Sequence, residues 1–286
     1  MIKNNTLDII KKHNLRLTKS LGQNFLSDDS VVNEIVNCAE IDDKTLVLEI
    51  GPGVGSMTKE LSRRAAGVVA VEIDKYLITA LNDNLSEFSN ISIINNDIMR
   101  VDIEAIILEF KEKYNANRVM VVANLPYYIT TPIIMKFLEE VRGVDGMVFM
   151  VQREVAQRMV SRPGIKDYGA LSVAVQFYSS PKIIFDVPPE CFIPQPEVHS
   201  TIIKLDILSE PPVKVLDKEL YFKVVKASFG QRRKTLVNGL SNAGIFNKNK
   251  EQIKEILENM GLKDNIRGEV LSVQQFGELS NSLIEN

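Results

Sequence analysis

Leu46-Val47-Leu48-Glu49-Ile50-Gly51-Pro52-Gly53-Val54-Gly55 is an apolar run closed by three glycines in five residues. It reads as a buried strand, a tight turn and then a helix over 56–64, which is how an open α/β sheet starts a ligand-binding unit. Glycine in the turn lets the backbone approach a ligand at the amino end of that helix. Further apolar, β-branched runs lie at 68–73, 91–94, 119–123 and 147–151, with helix-like stretches between them. That alternation predicts a mostly parallel sheet covered on both faces. Two more strand candidates, 182–187 and 198–205, flank the proline-rich loop from Pro188 to Pro196 and predict an antiparallel hairpin at one sheet edge. Beyond Asp206 the pattern changes: Pro211 and Pro212 mark a linker, and helical periodicity follows at 220–229, 233–240, 250–260 and 273–283. The expected division is an α/β domain over 1–208 and a small all-helical domain over 209–286.

With 45% hydrophobic and 25% charged residues the composition is that of an ordinary globular protein, which excludes a disordered or fibrous chain. No apolar run is long enough to cross a bilayer, and residues 1–15 are polar and lysine-containing, so no membrane and a cytoplasmic location are expected. Two cysteines and two histidines make a disulfide framework or a zinc site improbable on composition, and no metal is predicted. The net charge is −3, yet cations cluster. Lys3, Lys11, Lys12, Arg16 and Lys19 stand against Asp8 alone in the first 26 residues, and Lys223, Lys226, Arg232, Arg233 and Lys234 against no acid. Local charge decides nucleic-acid affinity more than the sum does, although most such runs are solvated helix faces.

The strand ends carry the candidate site. The second strand closes on Val71-Glu72-Ile73-Asp74, which puts Glu72 where a carboxylate can hold both hydroxyls of a ribose. The third closes on Asn95-Asn96-Asp97-Ile98; Asp97 either accepts from an adenine amino group, with Ile98 against the ring, or caps the next helix. A dinucleotide fingerprint would want Gly or Ala where Ser56 stands. A nucleoside without a pyrophosphate is the better fit, and S-adenosylmethionine is one. The fourth strand delivers Asn124-Leu125-Pro126-Tyr127-Tyr128. An exocyclic amine on a base is a poor nucleophile because its lone pair is delocalised into the ring. An Asn oxygen and a backbone carbonyl, fixed by a proline of locked φ, supply two acceptors that draw the nitrogen out of conjugation. Tyr127 then offers a flat face for the base.

Taken in order, Leu21-Gly22-Gln23-Asn24-Phe25-Leu26, the Glu49 to Gly55 turn, Asn124 to Tyr127, Phe149 to Val155, Tyr168 to Val173 and Phe192 to Ser200 resemble the motifs of the ribosomal RNA adenine dimethyltransferases. The resemblance spans the chain and is closest to the family's bacterial small-subunit branch; Phe229 with Gln231 to Lys234 is similar to that branch's second domain. It implies a Rossmann-like class I methyltransferase sheet and N6,N6-dimethylation, from S-adenosylmethionine, of two adjacent adenosines near the 3′ end of small-subunit RNA. It also implies cofactor contacts at Asn24, Leu26, Gly51, Glu72, Asp97 and Asn124, with Asn124, Leu125, Tyr127 and Phe192 at the reacting base and Arg232, Arg233 and Lys234 on RNA. The implied partner is ribosomal RNA within a pre-ribosomal small subunit, with the enzyme a monomer. Phe192 also reads as a core aromatic at a strand edge. The rivals are a dinucleotide-dependent oxidoreductase, which leaves Asn124 to Tyr127 unexplained, a large-subunit methyltransferase of the macrolide-resistance type, and a non-catalytic ribosome-assembly protein.

Overall fold

The computed structural model describes residues 2–15, 22–231, 234–245 and 248–285. The chain forms two compact units, Met1–Ala156 with Lys182–Ile207, and Gln157–Pro181 with Leu208–Asn286.

From the amino end to Ile207 the chain runs through α1 (Ile2–Lys12), β1 (Phe25–Leu26), α2 (Asp29–Cys38), β2 (Thr45–Ile50), α3 (Ser56–Ser62), β3 (Gly67–Glu72), α4 (Lys75–Asn84), β4 (Ile91–Asn95), α5 (Ile103–Lys113), β5 (Arg118–Asn124), α6 (Thr130–Glu140), β6 (Gly146–Gln152), α7 (Arg153–Val160), α8 (Ala170–Tyr178), β7 (Ser179–Val187), β8 (Phe192–Ile193) and β9 (Ser200–Ile207), of which the end of α7, all of α8 and the start of β7 lie in the second unit. Seven strands make one sheet in the order β4-β3-β2-β5-β6-β9-β7. The first five are parallel, and β9 runs antiparallel to β6. Every residue of β2 and β3 is buried, as strands covered on both faces must be. Val47, Val122, Val148 and Ile202 face one way and pack on Val32, Val36 and Leu61 of α2 and α3. Helix α3 has only seven residues, too few to hold together alone, so the burial of Met57 and Leu61 stabilises it.

The strand order turns around β2, with β3 and β4 to one side and β5 and β6 to the other. In-register pairing brings Ile50 opposite Val71 and Ala123, so the carboxyl ends of β2, β3 and β5 finish side by side. That is the crevice where open α/β sheets bind ligands. Gly51 and Gly53 turn out of β2 at φ 65° and 62°. A Cβ on Gly53 would lie 2.8 Å from the Phe25 ring, so only glycine fits there. Phe25 is brought in by a two-residue ribbon in which β1 pairs antiparallel with β8, Leu26 opposite Phe192. The sequence places Phe192 in the proline-rich loop and gives no strand signal at Phe25 and Leu26.

The second unit adds α9 (Lys218–Gly230), α10 (Leu236–Ala243), α11 (Lys250–Asn259) and α12 (Val273–Glu285) to α8. Asn249 and Gln252 cap α11 reciprocally, each side chain accepting from the other's backbone N–H at 2.9 Å. The 1–208 and 209–286 division differs from the contacts at residues 157–181. Tyr168, Val173 and Phe177 pack with Tyr221, Leu240, Leu257 and Phe276, and the Tyr168 hydroxyl donates to the Leu271 carbonyl at 2.8 Å. Periodicity marks Tyr221, Leu240, Leu257 and Phe276 as apolar helix positions, but no helical reading covers residues 157–181. Among the described residues no helix is long and apolar enough to cross a membrane.

Candidate active site

At the crevice, Asn24, Gly51, Glu72, Asn124, Leu125 and Tyr127 line one cavity together with Gln23, Ile73, Leu77 and Tyr128. A second, adjoining cavity is lined by Leu26, Glu49, Gly51, Ser56 and Asn124. A Cβ built on Gly51 meets nothing within 4 Å, so the turn presents bare backbone to open space.

Two carboxyls sit beneath that space. Glu72, 4% exposed, accepts from Asp74 N–H at 2.8 Å through Oε1 and from Gly53 N–H at 3.4 Å through Oε2. Burial lifts its pKa to about 7 against the pull of those N–H groups. Glu49 is fully buried, and among the described residues neither carboxyl oxygen has a hydrogen-bond partner. Burial pushes it up to about 8. An orphaned acid buried beside a cavity is what a cationic, polyhydroxylated ligand requires, and S-adenosylmethionine carries an ammonium, a sulfonium and two ribose hydroxyls. The residues present fit that group.

The raised acids predict how stability varies with pH. Below pH 4.5, their ordinary value, both are protonated whether the chain is folded or not. Above it the unfolded chain releases protons that the fold retains up to about 7 and 8, so stability falls across that window. The slope is about 1.4 kcal/mol per pH unit for each such group. Glu49→Gln removes the larger share, and its melting temperature should fall less between pH 5 and pH 8 than that of the wild type. Parallel curves would show that Glu49 ionises normally.

On the other side of the crevice, Asn124 Nδ2 donates to the Asn24 carbonyl at 2.8 Å. The Pro126 carbonyl is occupied by Thr130 Oγ1 at 3.0 Å and Ile129 N–H at 3.2 Å. Among the described residues none donates to the Leu125 carbonyl. Tyr127 lies half-buried with its hydroxyl 2.7 Å from Ser200 Oγ, and burial raises its pKa.

Two expectations met a different arrangement, and a third falls mostly outside the described residues. Phe192 is 2% exposed in the core beside Leu26 and lines neither cavity, because the β1–β8 ribbon turns its ring inward. No face is open to a base in this conformation, and the core-aromatic reading describes it. Asp97 also lies off both cavities; its Oδ1 accepts from Met99 N–H at 2.9 Å, and Arg100 Nε stands 3.7 Å from Oδ2, which makes it a turn cap. Arg232 and Arg233 lie outside the described residues, while Lys234 is exposed in the turn before α10. Within the same basic run Lys223 is paired with Glu219 at 2.6 Å. Sequence reasoning missed Glu49, Gln23, Asp74, Tyr128 and Ser200 as site residues, though each stands inside or next to a quoted motif.

A family model described as ribosomal RNA adenine dimethylase matches residues 14–278. The chain is 48% identical over 278 residues to ribosomal RNA small subunit methyltransferase A of Alkaliphilus oremlandii, spanning 97% of this chain and 96% of that one. It is 50% identical over 281 residues to the protein of the same name from Lachnoclostridium phytofermentans, spanning 98% and 96%. Among solved structures, the 23S rRNA methyltransferase ErmE superposes with a TM-score of 0.69 at 26% identity over 92% of this chain and 100% of that one. A dimethyladenosine transferase from Plasmodium falciparum shares the fold, with a TM-score of 0.75 at 23% identity over 89% and 95%. Matched along nearly its whole length, with a bare glycine turn and buried acids suited to the donor, the chain belongs to the ribosomal RNA adenine dimethylase family, Rossmann-like methyltransferases that use S-adenosylmethionine.

Proposed function

We propose that this chain places two methyl groups on N6 of each of two adjacent adenosines near the 3′ end of small-subunit ribosomal RNA. One observation carries the reading: the acceptor pair at Asn124 and Leu125 shares a cavity wall with Gly51 and Glu72. Bound there, S-adenosylmethionine supplies an electrophilic methyl on a positively charged sulfur. Glu72 accepts from the ribose hydroxyls, and Glu49, in the wall of the adjoining cavity, offers its acid oxygens. The target adenosine leaves its stack and enters beside Tyr127, whose ring face contributes about 1–3 kcal/mol of stacking. In the first transfer Asn124 Oδ1 and the Leu125 carbonyl accept the two amino hydrogens, and in the second one of them accepts the single hydrogen left, holding the nitrogen lone pair out of the ring and toward the donor. No strong base is needed, since a proton on the positively charged nitrogen is acidic and leaves to water. Tyr127 faces that developing charge with its π-cloud.

The small-subunit substrate is supported by relatives at 48% and 50% identity that bear that name. Asn24, Leu26, Gly51, Glu72 and Asn124 are the proposed donor contacts. Asp97 joins them only by giving up its capping role. The protein acts as a monomer in the cytoplasm on a pre-ribosomal small subunit. Tritiated methyl supplied with small-subunit particles should be recovered as N6,N6-dimethyladenosine. Label in large-subunit RNA instead would favour the macrolide-resistance activity, and donor binding without transfer would leave an assembly protein. The helical domain holds RNA backbone through Arg232, Arg233 and Lys234. Arg232→Ala with Arg233→Ala should lower the slope of log affinity against log salt by about one to two, and an unchanged slope removes them from the interface.

A further inference from the structure

Residues 22–26 line the two cavities and are tied down at both sides. On the β3 side, Gln23 Nε2 donates to Asp74 Oδ2 at 2.8 Å. Asp74 is 7% exposed and held in turn: its Oδ1 accepts from Tyr76 N–H at 3.0 Å, and its own N–H donates to Glu72 Oε1 at 2.8 Å. On the β5 side, the next residue's carbonyl, Asn24 O, receives Asn124 Nδ2. A carbonyl only accepts, so the NH2 of Asn124 must face it and Oδ1 must point the other way. An unheld amide has two orientations about its last torsion, and the wrong one would set its NH2 against an amino group, donor against donor. Turning the amide over here would bring Oδ1 against the Asn24 oxygen at the same 2.8 Å separation, which is repulsive.

We infer that Gln23 and Asp74 are positioning residues for methyl transfer: their bond holds the Asn24 carbonyl where it fixes the Asn124 amide with its oxygen toward the reacting amine. The strap thereby joins the ribose carboxyl to the amine acceptor, through Glu72, Asp74, Gln23, Asn24 and Asn124. It rests on the methyltransferase reading above but is tested separately from it.

Gln23→Glu puts a carboxylate against Asp74 and breaks the tie. In the double variant Gln23→Glu/Asp74→Asn the introduced amide keeps an oxygen for Tyr76 N–H and turns its NH2 to the introduced carboxylate, restoring it. At saturating donor and RNA, kcat of the single variant should fall about tenfold or more, as misplacement of a reacting group does, and the double variant should recover to within about threefold. Donor affinity, measured by calorimetry with S-adenosylhomocysteine, should change far less than kcat. A Gln23→Glu enzyme that turns over normally at saturation, or a double variant as slow as the single, overturns the inference. The side-chain amide protons of Asn124, followed by nitrogen-15 NMR, give a readout apart from turnover. The hydrogen-bonded resonance should vanish in Gln23→Glu and return in the double variant. If the wild-type protein moved no methyl group, the functional reading would fall, whereas an amide resonance indifferent to Gln23→Glu would remove the strap alone.

Discussion

Asn124→Ala is expected to lower single-turnover methyl transfer by about 10² to 10³-fold, the usual cost of losing one preorganised partner to charge that develops in the transition state. The side chain supplies one of two acceptors, and nothing else described at the cavity replaces it. Donor affinity should drop much less, since Glu72, Gly51 and Leu26 remain in place. Asn124→Asp sharpens the test. A carboxylate still accepts, but it has no hydrogen for the Asn24 carbonyl 2.8 Å away and sets oxygen against oxygen there. It should therefore fail to rescue transfer, despite a charge that would otherwise favour a cationic intermediate. Rapid-quench measurement at saturating donor decides it, and near-normal transfer by Asn124→Ala would take this residue out of the reaction.

Glu72→Ala should weaken donor binding by about 10²-fold or more, because hydrogen bonds to a charged group contribute roughly 1.5–3 kcal/mol each and two ribose hydroxyls lose theirs. The substitution also frees the N–H groups of Gly53 and Asp74, loosening the turn. Glu72→Gln keeps one acceptor oxygen and should fall between. The two forms separate with pH. Burial holds the Glu72 acid near 7, so in the wild type the accepting carboxylate is lost as pH falls through that value and donor affinity falls with it. The amide has no proton to gain, and the curve for Glu72→Gln should be flatter between pH 6 and 8. Calorimetric titrations across that range measure both, and identical pH profiles would show that Glu72 does not carry the dependence.

The strands that build the crevice were legible because a fully buried parallel strand must be apolar throughout, and glycine is demanded where φ turns positive, as at Gly51 and Gly53. Asn124 and Glu72 were legible for a related reason: the last residue of a parallel strand is the one the sheet presents to ligand. Phe192 and Asp97 were harder. Each fits two environments, and its neighbours in sequence do not choose between them. For Phe192 the deciding partner is Leu26, 166 positions away, which draws the ring into the core. Asp97 instead lies off the two cavities described and takes the local N–H of Met99 as its partner.

Sequence alone determined the period of the elements, the glycine turn, the order of the strand-end side chains and the family they spell, because these depend on neighbours a few residues apart. Tertiary structure decided that residues 157–181 complete the helical unit, that β1 and β8 close a ribbon, and that Gln23 reaches Asp74 while Asn24 turns the Asn124 amide. Those facts come from contacts whose direction and distance exist only once the sheet has brought separate segments together, and a hydrogen bond specifies orientation where hydrophobic pattern specifies only burial.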